Sequence, residues 1–274
     1  MNLVDAIIFG IIQGLTEFLP ISSSAHLRIA GTFLSSGDPG AAFTAVVQIG
    51  TEAAVLLYFR QDIWRIVRAW LSQPWSSTNM RSQDARLGWL IILGTLPIAI
   101  FGVLFKDAIE GTMRSLYITA SMLVFFGLLL GAGEFYGRKA LTFDQLSARD
   151  GFILGLAQAL ALIPGVSRSG GTITAGLFLG YTKDTIARYS FLLAIPAVFA
   201  AGFFQLISKW NTFSSSAAIP TIIATIISFV TGYCAIIVFL KLVSTKGYRL
   251  FVYYRLFAGA FLMILLSTGI IEPQ

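Results

Sequence analysis

Five uninterrupted apolar runs constrain this chain more than any other feature: roughly 41–59, 87–105, 116–135, 219–240 and 251–269 are each long enough to cross a bilayer as a helix. A sixth run, 186–207, is similar in length and holds Pro196, which a membrane helix tolerates when its neighbours re-satisfy the freed backbone groups. In hydrocarbon every N–H and C=O has to be bonded internally, so runs of this length fold as helices. The fold class expected is an all-α polytopic membrane protein. Charge agrees: 12% of the 274 residues are charged, about half the share of a soluble domain. Met1-Asn2-Leu3-Val4-Asp5 lacks the basic start and small-residue cleavage site of a signal peptide, so the first apolar segment is expected to be retained. The single cysteine, Cys234, lies in an apolar run and the chain has one histidine, which excludes disulfides, a cysteine cluster and a histidine-rich metal site. The net charge of +6 sits in loops between apolar runs, a pattern of membrane topology and not of nucleic-acid binding.

Two further apolar stretches are broken at their middles. Residues 3–19 run into Pro20 and the Ser22-Ser23-Ser24 cluster, then resume from Leu27 to Leu34. Residues 152–163 run into Pro164-Gly165 and Ser167-Arg168-Ser169-Gly170-Gly171, then resume from Ile173 to Leu179. Each piece is too short to cross, so residues 3–35 and 152–180 read as re-entrant helical hairpins that enter and leave on one side. A shift of 145 residues lays Gln13, Leu15, Ser22 and Ser24 on Gln158, Leu160, Ser167 and Ser169. Each half, 1–140 and 148–274, then reads as one hairpin followed by three spans. Three is odd, so the halves face opposite ways: six transmembrane helices and two hairpins in an inverted-topology repeat. Arg60, Arg65, Arg68, Arg81, Arg86, Arg138, Lys139, Arg149, Lys241, Lys246 and Arg249 fall on one side of this count, against Lys106, Arg114 and Lys209 on the other. The positive-inside rule assigns the first side to the cytoplasm and both termini to the outside, and Trp64, Trp70, Trp75 and Trp89 anchor the cytoplasmic interface. The hairpins then enter from opposite faces, so their tips are expected to meet, with the site opening to the outer face.

The tips carry the chemistry. In the first, Gln13 and Glu17 share a helix face, Ser22 or Ser23 caps the helix that resumes, and His26 follows on the same side. An ionisable group inside a membrane is a functional candidate by default, although Glu17 could instead form a buried ion pair and His26 a packing hydrogen bond. The second tip combines Ser167, Arg168, Ser169 and Thr172 with Gly170 and Gly171. A guanidinium fork, hydroxyls and a helix N-terminus in a glycine-rich turn form a phosphate site. The alternative is a glycine break that only bends the hairpin, but bending requires no arginine.

The string Gln-Gly-Leu-Thr-Glu-Phe-Leu-Pro-Ile-Ser-Ser-Ser-Ala-His from Gln13 to His26, followed by Pro-Gly-Val-Ser-Arg-Ser-Gly-Gly-Thr from Pro164 to Thr172, closely resembles the bacterial undecaprenyl-diphosphate phosphatases, or bacitracin-resistance proteins. The resemblance covers essentially the whole chain. It implies a plasma (inner) membrane enzyme that hydrolyses undecaprenyl diphosphate, recycles the lipid carrier for cell-wall synthesis and confers bacitracin resistance. The implied partners are a polyprenyl diphosphate and the membrane, with no nucleic acid and a homodimer left open. The implied cofactor is a divalent cation, Mg²⁺ or Ca²⁺. That family's first motif has Glu or Gln, three residues, then Glu; here it reads Gln13 and Glu17, the expected metal ligands. Joined to the residues, this assigns Glu17, Ser23, His26 and Arg168 to catalysis and Ser22, Ser24, Ser167, Ser169, Gly170, Gly171 and Thr172 to substrate. Ser23 activated by His26, a directly attacking water and a phosphohistidine at His26 all stay open as the nucleophile. A transporter or lipid flippase is the alternative function, since inverted repeats with broken helices are a transporter design; a purely structural scaffold explains neither tip.

Overall fold

A computed structural model describes residues 1–72, 82–208 and 215–273. The sequence markers Trp75, Arg81 and Lys209 lie outside these described residues. The described chain is all-helical: α1 (Leu3–Thr16), α2 (Ser23–Phe33), α3 (Gly40–Tyr58), α4 (Arg60–Ser72), α5 (Gln83–Leu104), α6 (Lys106–Glu110), α7 (Leu116–Tyr136), α8 (Ala148–Ala159), α9 (Arg168–Leu179), α10 (Lys183–Ser208), α11 (Ser215–Lys246) and α12 (Arg249–Ser267).

Five of these, α5, α7, α10, α11 and α12, are long and apolar enough to cross a membrane, and α3 with α4 makes a sixth if that pair, bent by 80°, is one span. The protein is a multi-pass membrane protein. Two sequence boundaries need correction. The 219–240 run underestimates α11, whose polar ends (Ser215, Ser216, Lys241 and Thr245) drop out of a hydropathy run but continue the helix. The segment after Arg60, read as loop, is the helix α4. Trp64, Val67 and Leu71 are exposed along one side of it, a spacing that repeats on a helix face; three arginines in the same segment hid that pattern from an apolar-run search.

The two broken stretches form helical hairpins whose open ends are tied shut. At the first, Asn2 Nδ2 donates to Ser35 Oγ at 2.8 Å and Ser36 N to Asp5 Oδ2 at 2.8 Å. At the second, Tyr181 Oη donates to Asp150 Oδ2 at 2.7 Å, while Ala140 N and Leu141 N donate to Gly180 O at 2.8 and 2.9 Å. The ties lie at the two ends of α7. Near Leu116, whose N–H donates to Pro273 O at 3.2 Å, Arg114 pairs with Asp38. Near Glu134, Lys183 pairs with the carboxylate at 2.5 Å and Tyr248 Oη donates to Lys183 O at 2.9 Å. The basic segments 137–150 and 241–249 therefore gather at the Glu134 end, and the segment 34–38 with Arg114 and Pro273 at the Leu116 end.

Packing repeats under one exchange of partners. The first hairpin's α1 packs on α11 as the second hairpin's α8 packs on α5, while α3 meets α10 and α7 meets α12. Glycines open both hairpin contacts: a Cβ on Gly10 would lie 2.6 Å from Ala224 O, and one on Gly155, 145 positions later, 2.6 Å from Gly94 Cα. Gly10→Ala or Gly155→Ala is expected to cost about 1–3 kcal/mol as overpacking of a helix crossing. In detergent this should lower the thermal midpoint by roughly 3–10 °C; an unchanged melting curve would show that these backbones do not need to touch.

Candidate active site

The first hairpin turns where it does because Pro20 offers no N–H and disfavours helix at the residue before it. α1 ends at Thr16, leaving Glu17 at its C-terminus, and α2 restarts at Ser23. Phe18 beside Glu17 is seated against Phe191 at 5.3 Å between ring centroids, and Phe191 in turn against Phe59 at 6.1 Å, so the carboxylate leaves a rigid aromatic core. In the second hairpin Gly165 adopts φ +96°, and a Cβ there would sit 2.9 Å from Met122 Cβ; no side chain fits this turn without strain.

The two tips share a backbone device. Ser22 and Ser167, 145 apart (167 − 22), are the N-caps of α2 and α9, and both hold positive φ, 73° and 71°. A non-glycine residue at such angles is strained unless its surroundings over-determine it. Here each serine Oγ accepts the N–H three residues on, Ala25 at 3.4 Å and Gly170 at 3.1 Å. Each also meets the hydroxyl two residues on, Ser24 at 3.1 Å and Ser169 at 3.2 Å. Of the two caps read as possible from sequence, Ser22 is the one used. The Gly170 N–H, expected to face phosphate, is committed to Ser167 instead.

The tips are bonded to each other. Arg168 Nη2 donates to Glu17 Oε1 at 2.5 Å and to Glu52 Oε1 at 2.8 Å, and Ser169 Oγ donates to Leu19 O at 3.2 Å. The other Glu17 oxygen, Oε2, accepts from Ser23 Oγ at 2.5 Å, Gln13 Nε2 at 2.6 Å and Gln48 Nε2 at 3.4 Å. Glu17 thus joins the first tip to the second. Beneath it, fully buried Arg255 spends all five of its N–H groups on carbonyls. Nη1 donates to Pro20 O at 2.8 Å and Val166 O at 3.1 Å, Nη2 to Gly165 O at 2.8 Å and Met122 O at 3.2 Å, and Nε to Leu123 O at 3.2 Å. One guanidinium from α12 therefore holds both turns and α7.

His26 stands apart from Ser23. Its Nδ1 lies 2.7 Å from Ser22 O, which can only accept, so the proton is on Nδ1. Nε2 is left to accept from Tyr254 Oη at 2.5 Å, and the two rings stack at 5.5 Å. The sequence pairing of Ser23 with His26 is corrected: four residues of helix carry the imidazole toward α12, and the group that receives the Ser23 hydroxyl is Glu17.

The bacitracin resistance protein BacA family model matches residues 6–261 of this chain. The chain belongs to that family. Among curated proteins it is 58% identical to undecaprenyl-diphosphatase 2 of Agrobacterium fabrum over 273 residues, covering 99% of this chain and 98% of that one. It is 54% identical to the undecaprenyl-diphosphatase of Paenarthrobacter aurescens, over 99% of this chain and 100% of the relative. A relative of the same name in Kineococcus radiotolerans is 52% identical over 98% of this chain and 95% of its own length.

Two residues central to this family member's site escaped the sequence reading. Glu52 and Arg255 lay inside the runs 41–59 and 251–269, which were taken simply as spans. The signal was there: an ionisable residue in the middle of an apolar run is costly and marks a partner. With Glu52 included, the expected divalent cation can be tested against its donors. Among the described residues no group of three or more His, Cys, Asp or Glu side chains is arranged for a metal. Yet Gln13 Oε1 and Glu52 Oε2 are buried oxygens with no hydrogen-bond partner, and Glu17 binds both side chains' surroundings through Gln13 and Arg168. Two carboxylates and an amide carbonyl, completed by substrate phosphate oxygens, suit a hard cation. The donor set fits, with Glu52 added to Glu17 and Gln13.

Proposed function

We propose that this chain hydrolyses undecaprenyl diphosphate to undecaprenyl phosphate and inorganic phosphate, in the bacterial plasma membrane. It thereby returns the lipid carrier to cell-wall synthesis and confers bacitracin resistance. The observation that carries the mechanism is the bridge from Arg168 on one tip to Glu17 on the other, with the Ser23 hydroxyl on the same carboxylate. A phosphoanhydride has a good leaving group, so catalysis is mainly positioning and neutralisation of charge.

Arg168, with Ser167, Ser169 and Thr172 around it, grips the terminal phosphoryl oxygens; Ser22, Ser24 and the close backbone at Gly170 and Gly171 shape the remainder. Thr172 Oγ1 is buried with no hydrogen-bond partner, which suits a hydroxyl reserved for substrate. Ser23 Oγ attacks the terminal phosphorus while its proton passes to Glu17 Oε2. A Ser23–phosphate bond forms, the anhydride bond breaks, and the lipid monophosphate leaves; water then cleaves the phosphoserine and restores the hydroxyl. A bound Mg²⁺ or Ca²⁺, held by Glu17, Glu52 and Gln13, would neutralise the diphosphate. His26 works on the Tyr254 side of the turn, as a proton donor or acceptor reached through that hydroxyl. A water attacking directly makes Ser23 a positioning group only.

The same reading includes the architecture: residues 1–140 and 148–274 as inverted repeats, with hairpins 3–35 and 152–180 entering from opposite faces and spans 41–59, 87–105, 116–135, 186–207, the longer α11 and 251–269. Support comes from the ties at the mouths of the hairpins, the exchange of packing partners and the paired positive-φ serines. Both termini and the site mouth lie at the Leu116 end, assigned to the outer face because the basic segments gather at the other end.

The test is phosphate release from undecaprenyl diphosphate by detergent-purified protein. We expect turnover in Mg²⁺ or Ca²⁺ that falls at least about 10²-fold in excess EDTA and returns with the cation. A full rate in chelator would remove the metal. Absence of release, with the lipid crossing proteoliposomes, would replace hydrolysis by lipid transport. Ser23→Ala at near-normal rate would leave water as the nucleophile.

A further inference from the structure

A second cluster of cations lies beyond the catalytic bridge. A cavity of about 180 Å³ opens between the hairpin tips and the Leu116 end of α7, lined by Ser24, Arg28, Gln48 and Arg114 with apolar Ile109 and Leu162. It adjoins the proposed catalytic group through two residues: Ser24 follows Ser23, and Gln48 donates to Glu17 Oε2 at 3.4 Å. Arg28 is buried, its Nη1 donating to Thr119 Oγ1 at 3.4 Å and its Nε pairing with Asp38 Oδ2 at 3.6 Å. Arg114 pairs with that same Asp38 oxygen.

Charge distinguishes this cavity from the bridge. Here two arginines share one aspartate, Asp38, which is ionised at neutral pH. Burial works to raise its carboxyl, but the bonds and charges of Arg114, the Gly40 N–H and Arg28 outweigh it and hold it below the usual value. At the bridge one arginine is shared by two carboxylates, Glu17 and Glu52. A phosphate dianion leaving the bridge therefore meets a cavity in which two guanidinium groups share one carboxylate. Arg114 is also one of few basic residues at an end of the molecule otherwise poor in them, and it turns into this cavity, 21% of its side chain exposed.

We propose that Arg28 and Arg114 form a second phosphoryl-binding subsite, taking a phosphate group that has left, or has yet to reach, Arg168. The proposal rests on the phosphatase reading for its role in the reaction, but its ligand chemistry, a phosphate anion, can be measured without turnover. The occupant is either inorganic phosphate on its way out or the head group of the lipid on its way in.

The experiment uses the full-length protein and three variants of opposite charge effect: Arg28→Gln and Arg114→Gln, which lower the cavity charge, and Asp38→Asn, which raises it. Inorganic phosphate is titrated calorimetrically and as a product inhibitor. Phosphate binding should weaken at least about tenfold in each arginine variant, as expected for loss of a charged hydrogen-bond donor. It should tighten several-fold in Asp38→Asn. If the inhibition constant holds while KM for undecaprenyl diphosphate moves with the same signs, the subsite stands with the lipid head group as occupant. Constants unchanged in all three variants, or moving in one direction regardless of charge, would overturn it, the latter because packing damage ignores sign. Should the wild type release no phosphate from the lipid, the phosphatase reading fails alone; the calorimetric titration then still decides the subsite by the same signs.

Discussion

Arg168→Ala is expected to lower kcat/KM for undecaprenyl diphosphate by at least about 10³-fold, the scale on which a preorganised arginine stabilises phosphoryl transfer. The proposed mechanism gives Arg168 two tasks. It neutralises Glu17 and Glu52, to which it is bonded at 2.5 and 2.8 Å, with the Glu52 side chain wholly buried; it also presents the fork for phosphate oxygens. Removing it leaves two buried carboxylates uncompensated, at about 3–5 kcal/mol, so lost activity alone would not separate misfolding from chemistry. The variant Arg168→Met combined with Glu52→Gln takes out one charge of each sign. It should recover most of the thermal stability lost in Arg168→Ala while remaining as inactive. Restored turnover in that double variant would reduce Arg168 to a counter-ion and sink the phosphate-gripping role. Glu17→Gln should likewise fall by at least about 10²-fold, since it keeps the shape that accepts from Ser23 and Gln13 but no longer takes a proton.

Arg255→Lys should be the most damaging conservative change in the protein. Five carbonyls, on Pro20, Met122, Leu123, Gly165 and Val166, receive the five guanidinium donors. An ammonium offers three donors on a point, with no planar fork, so at least two of the five charged hydrogen bonds are lost at about 1.5–3 kcal/mol each. Two of the carbonyls, of Pro20 and Gly165, belong to opposite tips, so the loss acts on their alignment as well as on stability. The expected result is a thermal midpoint lower by several degrees or more, roughly 2–4 °C per kcal/mol for a chain of this size, together with a kcat loss of at least about 10²-fold in the protein that remains folded, on the scale of misplaced catalytic groups. A lysine variant that melts like the wild type and turns over normally would show that the tips align without this staple.

Much of this was legible because membrane helices announce themselves. A hydrocarbon surrounding forces long apolar runs and forbids open backbone, so the spans, the two broken stretches and the 145-residue echo could all be read by counting. The tip motifs were equally plain: Glu17, Ser23 and Arg168, assigned from residue chemistry together with the family resemblance, are bonded together. Reading failed where the same rule made the interior look uniform. Glu52 and Arg255 were absorbed into apolar runs, and α4 into a loop, because an average over a window hides a single charge or one face of a helix.

The sequence alone determined the helical class, the two turns and the residue types at each, since these follow from local spacing and from what lipid permits. Tertiary structure decided who meets whom. That the Ser23 hydroxyl donates its hydrogen bond to Glu17 and not to His26 depends on α2 rising from a strained serine cap, which turns the imidazole to Tyr254 on α12. That one buried arginine aligns both tips depends on residues 235 positions apart (255 − 20) arriving at the same point. No local pattern encodes such a meeting; it results from helices packed around a shared core, where the Arg255 guanidinium reaches five carbonyls on three separate segments.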